Sequence, residues 1–191
     1  MNPYLIKTPA IISFSGGRTS GYMLKHIIDA FGGTLPDDVK VVYANTGKEF
    51  PETLDFIQRC SEEWNVPITW LEYDPGAEHE TKIVNHNSAA RDGEPFKALI
   101  VKKNYLPNPV TRICTFFLKV RRIEKWGKKI LGWKTWANVV GLRWDEAKRA
   151  RRLIDRCTDS WENICPLFTA RVTEPMIRVW WNEQSFDLAL E

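Results

Sequence analysis

The first part of the chain repeats a pattern of short apolar runs, each followed by a polar loop and then by apolar residues at helical spacing. Ala10-Ile-Ile-Ser-Phe14, Val39-Lys-Val-Val-Tyr-Ala44 and the run 66–73 are rich in residues that strands prefer. Between them, the stretches 20–31 and 51–65 carry apolar residues on one helical face. This order of strand, helix, strand, helix, strand predicts a doubly wound α/β fold.

The loop after the first predicted strand is Ser15-Gly-Gly-Arg-Thr-Ser20, which leads directly into the first predicted helix. Its two glycines let backbone amides approach an anion closely, its hydroxyls can donate hydrogen bonds, and the helix adds the positive end of its dipole. The Gly-Lys-Ser/Thr ending of a Walker A motif is absent. The loop therefore predicts a phosphate site of another type, with a serine-capped tight turn as the alternative.

A second polar loop, Asn45-Thr-Gly-Lys-Glu-Phe-Pro-Glu52, follows the second predicted strand. In doubly wound sheets, ligands bind outside the carboxyl ends of the strands, so we expect this loop and the first one to meet at one site.

The periodicity weakens over 74–108, which is rich in Gly, Pro, Asn, His and charged residues. We predict a long, partly helical segment that covers the site. It contains His79 and His86, whose spacing fits no standard zinc motif, so we interpret both as surface histidines.

The stretch Pro109 to Trp126 combines a cysteine, several cations and a predicted helical stripe through Phe116, Val120 and Ile123. A further strand is predicted within 135–142. The polar segment after it supplies guanidinium groups suited to binding phosphate or sulfate oxygens. These belong to Arg143 and to the group Arg149, Arg151 and Arg152, for which a solvated charged face is the alternative.

Composition narrows the function classes only slightly. The 191 residues include 27 basic and 24 acidic side chains, and this net charge of +3 does not require a nucleic-acid partner. The N-terminus does not resemble a signal peptide and no apolar run reaches membrane-spanning length, so we expect a cytoplasmic protein without a membrane partner. The four cysteines are then expected to be reduced thiols or ligands rather than disulfides.

Four segments, in order, resemble motifs of the phosphoadenosine phosphosulfate (PAPS) reductase family, which belongs to the PP-loop group of adenine-nucleotide α hydrolases. They are 15–20, 45–53, the run Arg112-x-Cys-Thr-x-x-x-Lys-Val120, and Gly141-x-Arg-x-x-Glu146 with the following basic pair Arg151-Arg152. The resemblance extends from about the tenth residue to Trp181. Four ordered motifs are far more specific than any single one.

The resemblance implies one PP-loop domain over 1–191, with an α/β, mainly parallel sheet of about five strands, helices on both faces, and an appendage at 157–191. It also implies that ATP or a related adenylate is cleaved at the α-phosphate, so that an unidentified acceptor is adenylylated and pyrophosphate leaves. Lys119 and Arg143 would offset charge on the transferring group. The implied nucleotide-binding residues are Ser13, Phe14, Ser15, Gly16, Gly17, Arg18, Thr19, Ser20, Asn45, Thr46, Gly47, Arg112 and Gly141.

Two positions depart from the family pattern. Asn45 stands where family members commonly have Asp, which replaces a charged acceptor for the nucleotide by an amide. No cysteine follows Cys165, whereas sulfonucleotide reductases use a nucleophilic cysteine in their C-terminal tail. We therefore expect adenylyl transfer rather than sulfonucleotide reduction.

The resemblance also suggests metal cofactors. Magnesium is expected for ATP chemistry, with Glu49 and Asp145 as candidate ligands. Some relatives hold an iron-sulfur cluster, for which Cys114, Cys157 and Cys165 are the candidate ligands here; buried or incidental cysteines are the alternative, because no C-x-x-C pair exists. Cys60 is interpreted as structural.

Two other functions remain open at this point. One is a noncatalytic adenine-nucleotide-binding module. The other is a nucleic-acid-modifying enzyme, of the sulfur-transfer type, with a predicted basic surface near the site. That surface would comprise Lys119, Arg121, Arg122, Lys125, Lys128, Lys129 and Lys134.

Overall fold

A computed structural model of the protein describes residues 2–106, 108, 111, 113–156 and 158–190. The described residues form a six-stranded sheet in the order β4-β3-β2-β1-β5-β6. The strands are β1 Ala10–Ser13, β2 Val39–Asn45, β3 Ile68–Tyr73, β4 Thr81–Val84, β5 Trp136–Val140 and β6 Trp161–Ile164. All neighbouring pairs are parallel except β3 and β4.

The α-helices are α1 Arg18–Ala30, α2 Pro51–Glu63, α3 Glu94–Lys103, α4 Arg121–Lys125, α5 Ala147–Ile154, α6 Pro166–Thr169 and α7 Glu174–Asn182. This arrangement confirms the α/β fold with a mainly parallel sheet.

Alternating residues of the central strand β1 enter two different hydrophobic clusters, because successive side chains of a strand point to opposite faces. Ile12 packs in the larger cluster, with Met23 of α1, Ile57 of α2 and Trp181 of α7. Ile11 packs in a second cluster with Trp126. Helical segments therefore cover both faces of the sheet, as predicted.

The sheet has six strands where about five were expected, and its two edge strands, β4 and β6, were not located from the sequence. Trp70 of β3 pairs with Val84, and Tyr73 pairs with Thr81, in antiparallel register. Strand β4 is short and two of its four side chains are exposed, so its sequence carries little periodic signal. The segment 74–108 also contains α3.

Residues 115–130 form a helical segment in which two π-helical stretches, Thr115–Val120 and Trp126–Ile130, flank α4. We call this the π–α–π segment. Its widened turns shift the buried face, since a π-helix closes its hydrogen bonds one residue later than an α-helix. Leu118, Arg122 and Trp126 are buried, four residues apart.

The predicted stripe through this segment is therefore wrong at two positions. Phe116 is 46% exposed and Val120 is 39% exposed, whereas Ile123 does pack against a hydrophobic cluster.

The strand order reverses direction at β1, whose neighbours are β2 on one side and β5 on the other. The chain moves outward from β1 to β3 and then returns to place β5 on the opposite side. Such a switch point leaves a crevice at the carboxyl ends of the two central strands, where doubly wound proteins bind ligands. Among the residues that the structure describes, no helix has the length and apolar character needed to cross a membrane.

Candidate functional site

The loop after β1 is organised around the hydroxyl of Ser20, a residue that is 3% exposed. The amides of Ser15 and Gly17 donate to Ser20 Oγ at 3.2 and 3.3 Å, and Ser20 Oγ donates to the Gly17 carbonyl at 2.9 Å. The Ser15 hydroxyl lies 3.0 Å from the same oxygen. The Ser20 hydroxyl therefore holds the loop in its conformation.

Gly16 has a φ of +78°, and a Cβ there would lie 2.7 to 2.8 Å from side-chain atoms of Ile57 and Thr53. Only glycine fits both the conformation and the close approach to α2.

The N-terminus of α1 supplies the donors best placed for an anion. Its N-cap residue is Gly17, whose hydrogen-atom side chain cannot accept a hydrogen bond from the first turn. First-turn amides of a helix have no acceptor within the helix, and they carry the positive end of its dipole. The first turn also contains no acidic residue. The amides from Arg18 to Ser20 can therefore bind phosphate oxygens.

The Arg18 side chain is held away from this turn by the C-terminal segment. Its Nε donates to the Asp187 carboxylate at 2.9 Å, and its Nη2 donates to the Leu188 carbonyl at 2.7 Å. The indole Nε1 of Trp181 donates to the Arg18 carbonyl at 2.8 Å. The Arg18 guanidinium is thus engaged by the C-terminal segment, while its backbone amide belongs to the first turn of α1.

Arg143 connects the end of β5 to the start of α1 at the switch point. It follows β5, and its Nη1 donates to Thr19 Oγ1 of α1 at 3.2 Å. Gly141 packs nearby, since a Cβ at that position would lie 3.6 Å from Ser20 Cα. A guanidinium group is thus fixed beside the free amides of α1.

Carboxylates surround the Arg143 guanidinium. Its Nε donates to Asp145 at 2.9 Å, and it lies 3.7 Å from Glu146 and 3.6 Å from Glu174. Burial alone would lower the Arg143 pKa, but the hydrogen bond to Asp145 and the neighbouring negative charges raise it above its ordinary value. The same hydrogen bond lowers the pKa of Asp145. A bound phosphate would compete with these carboxylates for Arg143.

Asn45, at the end of β2, is fully buried and its amide is used within the protein. Nδ2 donates to Glu72 Oε1 at 2.6 Å and to the Ala90 carbonyl at 2.9 Å, while Oδ1 accepts from the Gly47 amide at 3.0 Å. Glu72 was not among the residues predicted from the sequence, although a carboxylate near the carboxyl end of an otherwise apolar strand was an available signal. Through these hydrogen bonds, the Asn45 side chain holds the loop after β2 in place.

The Glu49 carboxylate stabilises the loop after β2 by accepting hydrogen bonds from it. It accepts from the Thr46 amide at 3.1 Å, the Thr46 hydroxyl at 2.9 Å and the Lys48 amide at 3.1 Å. Lys119 of the π–α–π segment lies 3.5 Å from Glu49. The predicted catalytic cation Lys119 is therefore placed beside the second loop, while Arg143 is placed beside the first.

Ser13 and Phe14 support the site from the sheet. Ser13 Oγ donates to Asn138 Oδ1 at 3.3 Å, and Phe14, which is buried, continues the pairing of β1 through its amide to the Val42 carbonyl. Arg112, also predicted to bind nucleotide, lies outside the described residues.

The candidate magnesium ligands do not fit a metal site as they stand. Both oxygens of Asp145 accept from Arg143, at 2.9 and 3.3 Å, and both oxygens of Glu49 accept hydrogen bonds from the loop that Glu49 closes. Magnesium needs carboxylate oxygens that are free to coordinate it. Glu49 and Asp145 therefore serve as partners of cations and amides here, and magnesium stays a prediction.

The described cysteines do not form a ligand set for an iron-sulfur cluster. Cys114 packs beside Leu99 and Leu118, whereas Cys165 is buried in a separate cluster with Leu142 and Ala150. Burial raises the pKa of Cys165 to about 11, and it also raises the pKa of Cys60. Cys157 lies outside the described residues, and within them no group of three or more potential ligands is found.

Several cations of the predicted basic surface have carboxylate partners in the structure. Arg121 and Lys128 both pair with Glu124 at 3.0 Å, and Lys125 pairs with Glu80 at 2.6 Å. Arg122 is fully buried, so its assignment to the surface is wrong; the widened helical turns direct it inward.

The two histidines of the 74–108 segment are partly exposed. His86 lies 2.6 Å from Asp55, and His79 lies 3.3 Å from Glu78.

Comparison with known proteins gives a family match over most of the chain. A model of the phosphoadenosine phosphosulfate reductase domain matches residues 9–183. The uncharacterized nin region protein ORF290 of Escherichia phage lambda is 28% identical over 194 residues, which cover 94% of this chain and 61% of that protein. The uncharacterized protein MJ0066 of Methanocaldococcus jannaschii is 28% identical over 132 residues, covering 64% and 25% respectively. The chain thus spans less than two thirds of each of these relatives.

Solved structures share the fold at low sequence identity. The phosphoadenylyl-sulfate reductase of Candida auris, in a phosphate complex, has a TM-score of 0.58 at 18% identity, over 96% of this chain and 79% of that chain. The U34-tRNA thiolase NcsA of Methanococcus maripaludis, with its 4Fe-4S cluster, has a TM-score of 0.52 at 16% identity, over 91% and 56%. The NH3-dependent NAD synthetase of Campylobacter jejuni has a TM-score of 0.51 at 14% identity, over 93% and 64%.

Proposed function

Because the chain belongs to the phosphoadenosine phosphosulfate reductase domain family, we propose that it binds ATP, or a related adenylate, at the switch point and transfers its adenylyl group to an acceptor. The observation that carries the proposal is the hydrogen bond from Arg143 to Thr19, which holds a guanidinium group beside the first-turn amides of α1. This arrangement combines the two kinds of donor that bind phosphate oxygens best.

In the proposed reaction, an acceptor oxygen attacks the α-phosphorus of ATP. The bond from that phosphorus to the oxygen bridging the α- and β-phosphates breaks, and pyrophosphate leaves with the bonding electrons. The acceptor proton passes to solvent. The first-turn amides of α1 hold the leaving pyrophosphate, while Arg143 and Lys119 offset the negative charge that develops during transfer.

Sulfonucleotide reduction fits Cys60 and Cys165 less well. It needs a thiolate, and burial raises the pKa of both Cys60 and Cys165, which favours their protonated forms. Adenylyl transfer makes no use of a thiol.

The first experiment measures ATP affinity by calorimetry for the wild type and for Arg143→Gln. We expect the substitution to weaken binding about tenfold or more, because it removes a charged donor to phosphate. Arg178→Gln is the matched control, since Arg178 pairs with the same Glu174 but is exposed on α7. Equal losses in both variants would contradict the proposed role of Arg143.

The second experiment identifies the products of ATP labelled at the α-phosphate, incubated with a panel of candidate acceptors. AMP-linked product and pyrophosphate support the proposal, whereas ADP and phosphate overturn it. Affinity for ATP without turnover on any acceptor would instead favour a noncatalytic nucleotide-binding module.

A further inference from the structure

The strongest unassigned feature is the exposed basic face of α5. It comprises Lys148, Arg149, Arg151, Arg152 and Arg156, all of which are exposed. Residues 143–156 contain six basic and three acidic side chains, so their formal net charge of +3 equals that of the whole chain. This segment is therefore strongly basic, as is the segment 115–130, which contains six basic side chains and one acidic side chain.

Within the described residues, most cations on the α5 basic face have no ion-pair partner. Arg149 pairs with Glu146, but no carboxylate in the described part of the chain lies within 4 Å of Lys148, Arg151, Arg152 or Arg156. In the π–α–π segment, by contrast, Arg121, Lys125 and Lys128 are paired with Glu80 or Glu124. Unpaired exposed cations retain their charge for an external polyanion.

An aromatic side chain lies at the start of the same segment. Trp144 directly follows Arg143 and is 39% exposed. Its ring stacks on Phe168 at a centroid distance of 5.1 Å, and the Arg171 guanidinium lies 5.3 Å from the Trp144 ring. Aromatic rings beside cations bind unpaired bases, which stack on the rings while their phosphates contact the cations.

We propose that the α5 basic face and Trp144 bind single-stranded nucleic acid, RNA or DNA, at the mouth of the switch-point crevice. A polyanion complements the unpaired cations, and an exposed ring favours unpaired bases over a duplex, whose bases are already stacked. The inference rests on the α5 surface and not on adenylyl transfer. Binding of an oligonucleotide needs no ATP, so this proposal and the proposed function can fail separately.

The test is fluorescence anisotropy with labelled single-stranded RNA, single-stranded DNA and duplex DNA of one sequence, at several salt concentrations and without ATP. We expect the wild type to bind at least one single strand more tightly than the duplex, with affinity falling as salt rises. Lys148→Gln/Arg152→Gln should weaken binding on the order of tenfold and reduce the salt slope by about 1.4, as expected for two lost phosphate contacts. These two residues lie four apart, on the side of α5 away from buried Ala150.

The matched control is Lys129→Gln/Lys134→Gln, which removes the same charge from exposed positions outside α5. We expect this control to bind as the wild type does. We expect Trp144→Ala to weaken single-strand binding on the order of tenfold and to leave duplex binding unchanged. Thermal unfolding checks that each variant is folded.

Several results would overturn the proposal. They are absent or salt-independent binding by the wild type, equal losses in the α5 variant and its control, and a preference for duplex. Tighter binding of polyglutamate than of either single strand would also overturn it and would indicate an acidic protein partner.

Discussion

At the scale of single residues, the buried side chain of Asn45 requires Glu72 as a hydrogen-bond acceptor. The Asn45 amide donates to the Glu72 carboxylate at 2.6 Å, and the same carboxylate oxygen accepts from the Ala90 amide at 2.7 Å. Both side chains are almost completely buried. An aspartate at position 45 would place two carboxylates in contact at this point. The amide at position 45 can therefore donate a hydrogen bond to the carboxylate at position 72, which an ionised aspartate could not do.

We predict that Asn45→Asp lowers the free energy of unfolding by about 2 to 3 kcal/mol near neutral pH, because a donor is lost and two buried carboxylates repel each other. The repulsion raises the folded-state pKa of one carboxyl group above its unfolded value. The folded state then binds the extra proton, so stability falls as pH rises through that pKa. Urea unfolding at pH 5 and pH 8 should therefore show the larger loss at pH 8.

The double variant Asn45→Asp/Glu72→Gln serves as the control, because it removes one of the two negative charges. It should lose most of the added pH dependence. An equal loss at both pH values in Asn45→Asp alone would contradict carboxylate repulsion as the cause.

At the scale of elements, the π–α–π segment is anchored by the buried Arg122. Its Nε donates to the Phe117 carbonyl at 2.9 Å, and its Nη1 donates to the Glu80 carbonyl and to Thr81 Oγ1. His79 and Glu80 have φ values of +56° and +54°, which are costly for non-glycine residues. Arg122 thus connects the segment that carries Lys119 to a strained turn before β4.

We predict that Arg122→Gln lowers the free energy of unfolding by about 3 kcal/mol, because it removes a buried guanidinium and leaves partly buried carbonyl groups without their donors. Arg121→Gln is the matched neighbour, since Arg121 is 42% exposed and pairs only with Glu124 among the described residues. That substitution should cost less than about 1 kcal/mol. Urea unfolding gives both values, and hydrogen exchange of the turn at 78–81 should accelerate only in the Arg122 variant.

At the scale of the whole molecule, the C-terminal helix supports the start of the loop helix. Trp181 of α7 is 2% exposed and donates from its indole Nε1 to the Arg18 carbonyl. Its ring occupies the space beside Gly21, where a Cβ would lie 2.7 Å from the indole. Residues far apart in sequence therefore hold the first turn of α1 in position.

We predict that Trp181→Phe lowers the free energy of unfolding by about 1 to 2 kcal/mol, through the lost hydrogen bond and the poorer packing. If the first turn of α1 binds phosphate, the affinity for ATP should fall severalfold as well. Trp180→Phe is the control, because Trp180 is only partly buried and its indole makes no hydrogen bond to α1 in the described structure. Equal effects of the two substitutions would contradict this role for Trp181.

Local patterning along the chain was enough to predict several of the elements. Apolar runs and helical spacing predicted β1 to β3, β5, α1 and α2, because the burial of one face imposes a period on the residues that form it. Small residues and glycines likewise predicted the two loops, since few residue types allow their backbone conformations.

Other features depend on partners distant in the chain and became visible only once the chain was folded. These include the pairing of Asn45 with Glu72, the inward direction of Arg122, the capture of Arg18 by Asp187, and the short edge strand β4. The local sequence around a charged or polar side chain is the same whether that side chain hydrogen-bonds to solvent or to another residue. Which partner it has depends on packing between elements, and no periodic pattern in the sequence encodes that packing.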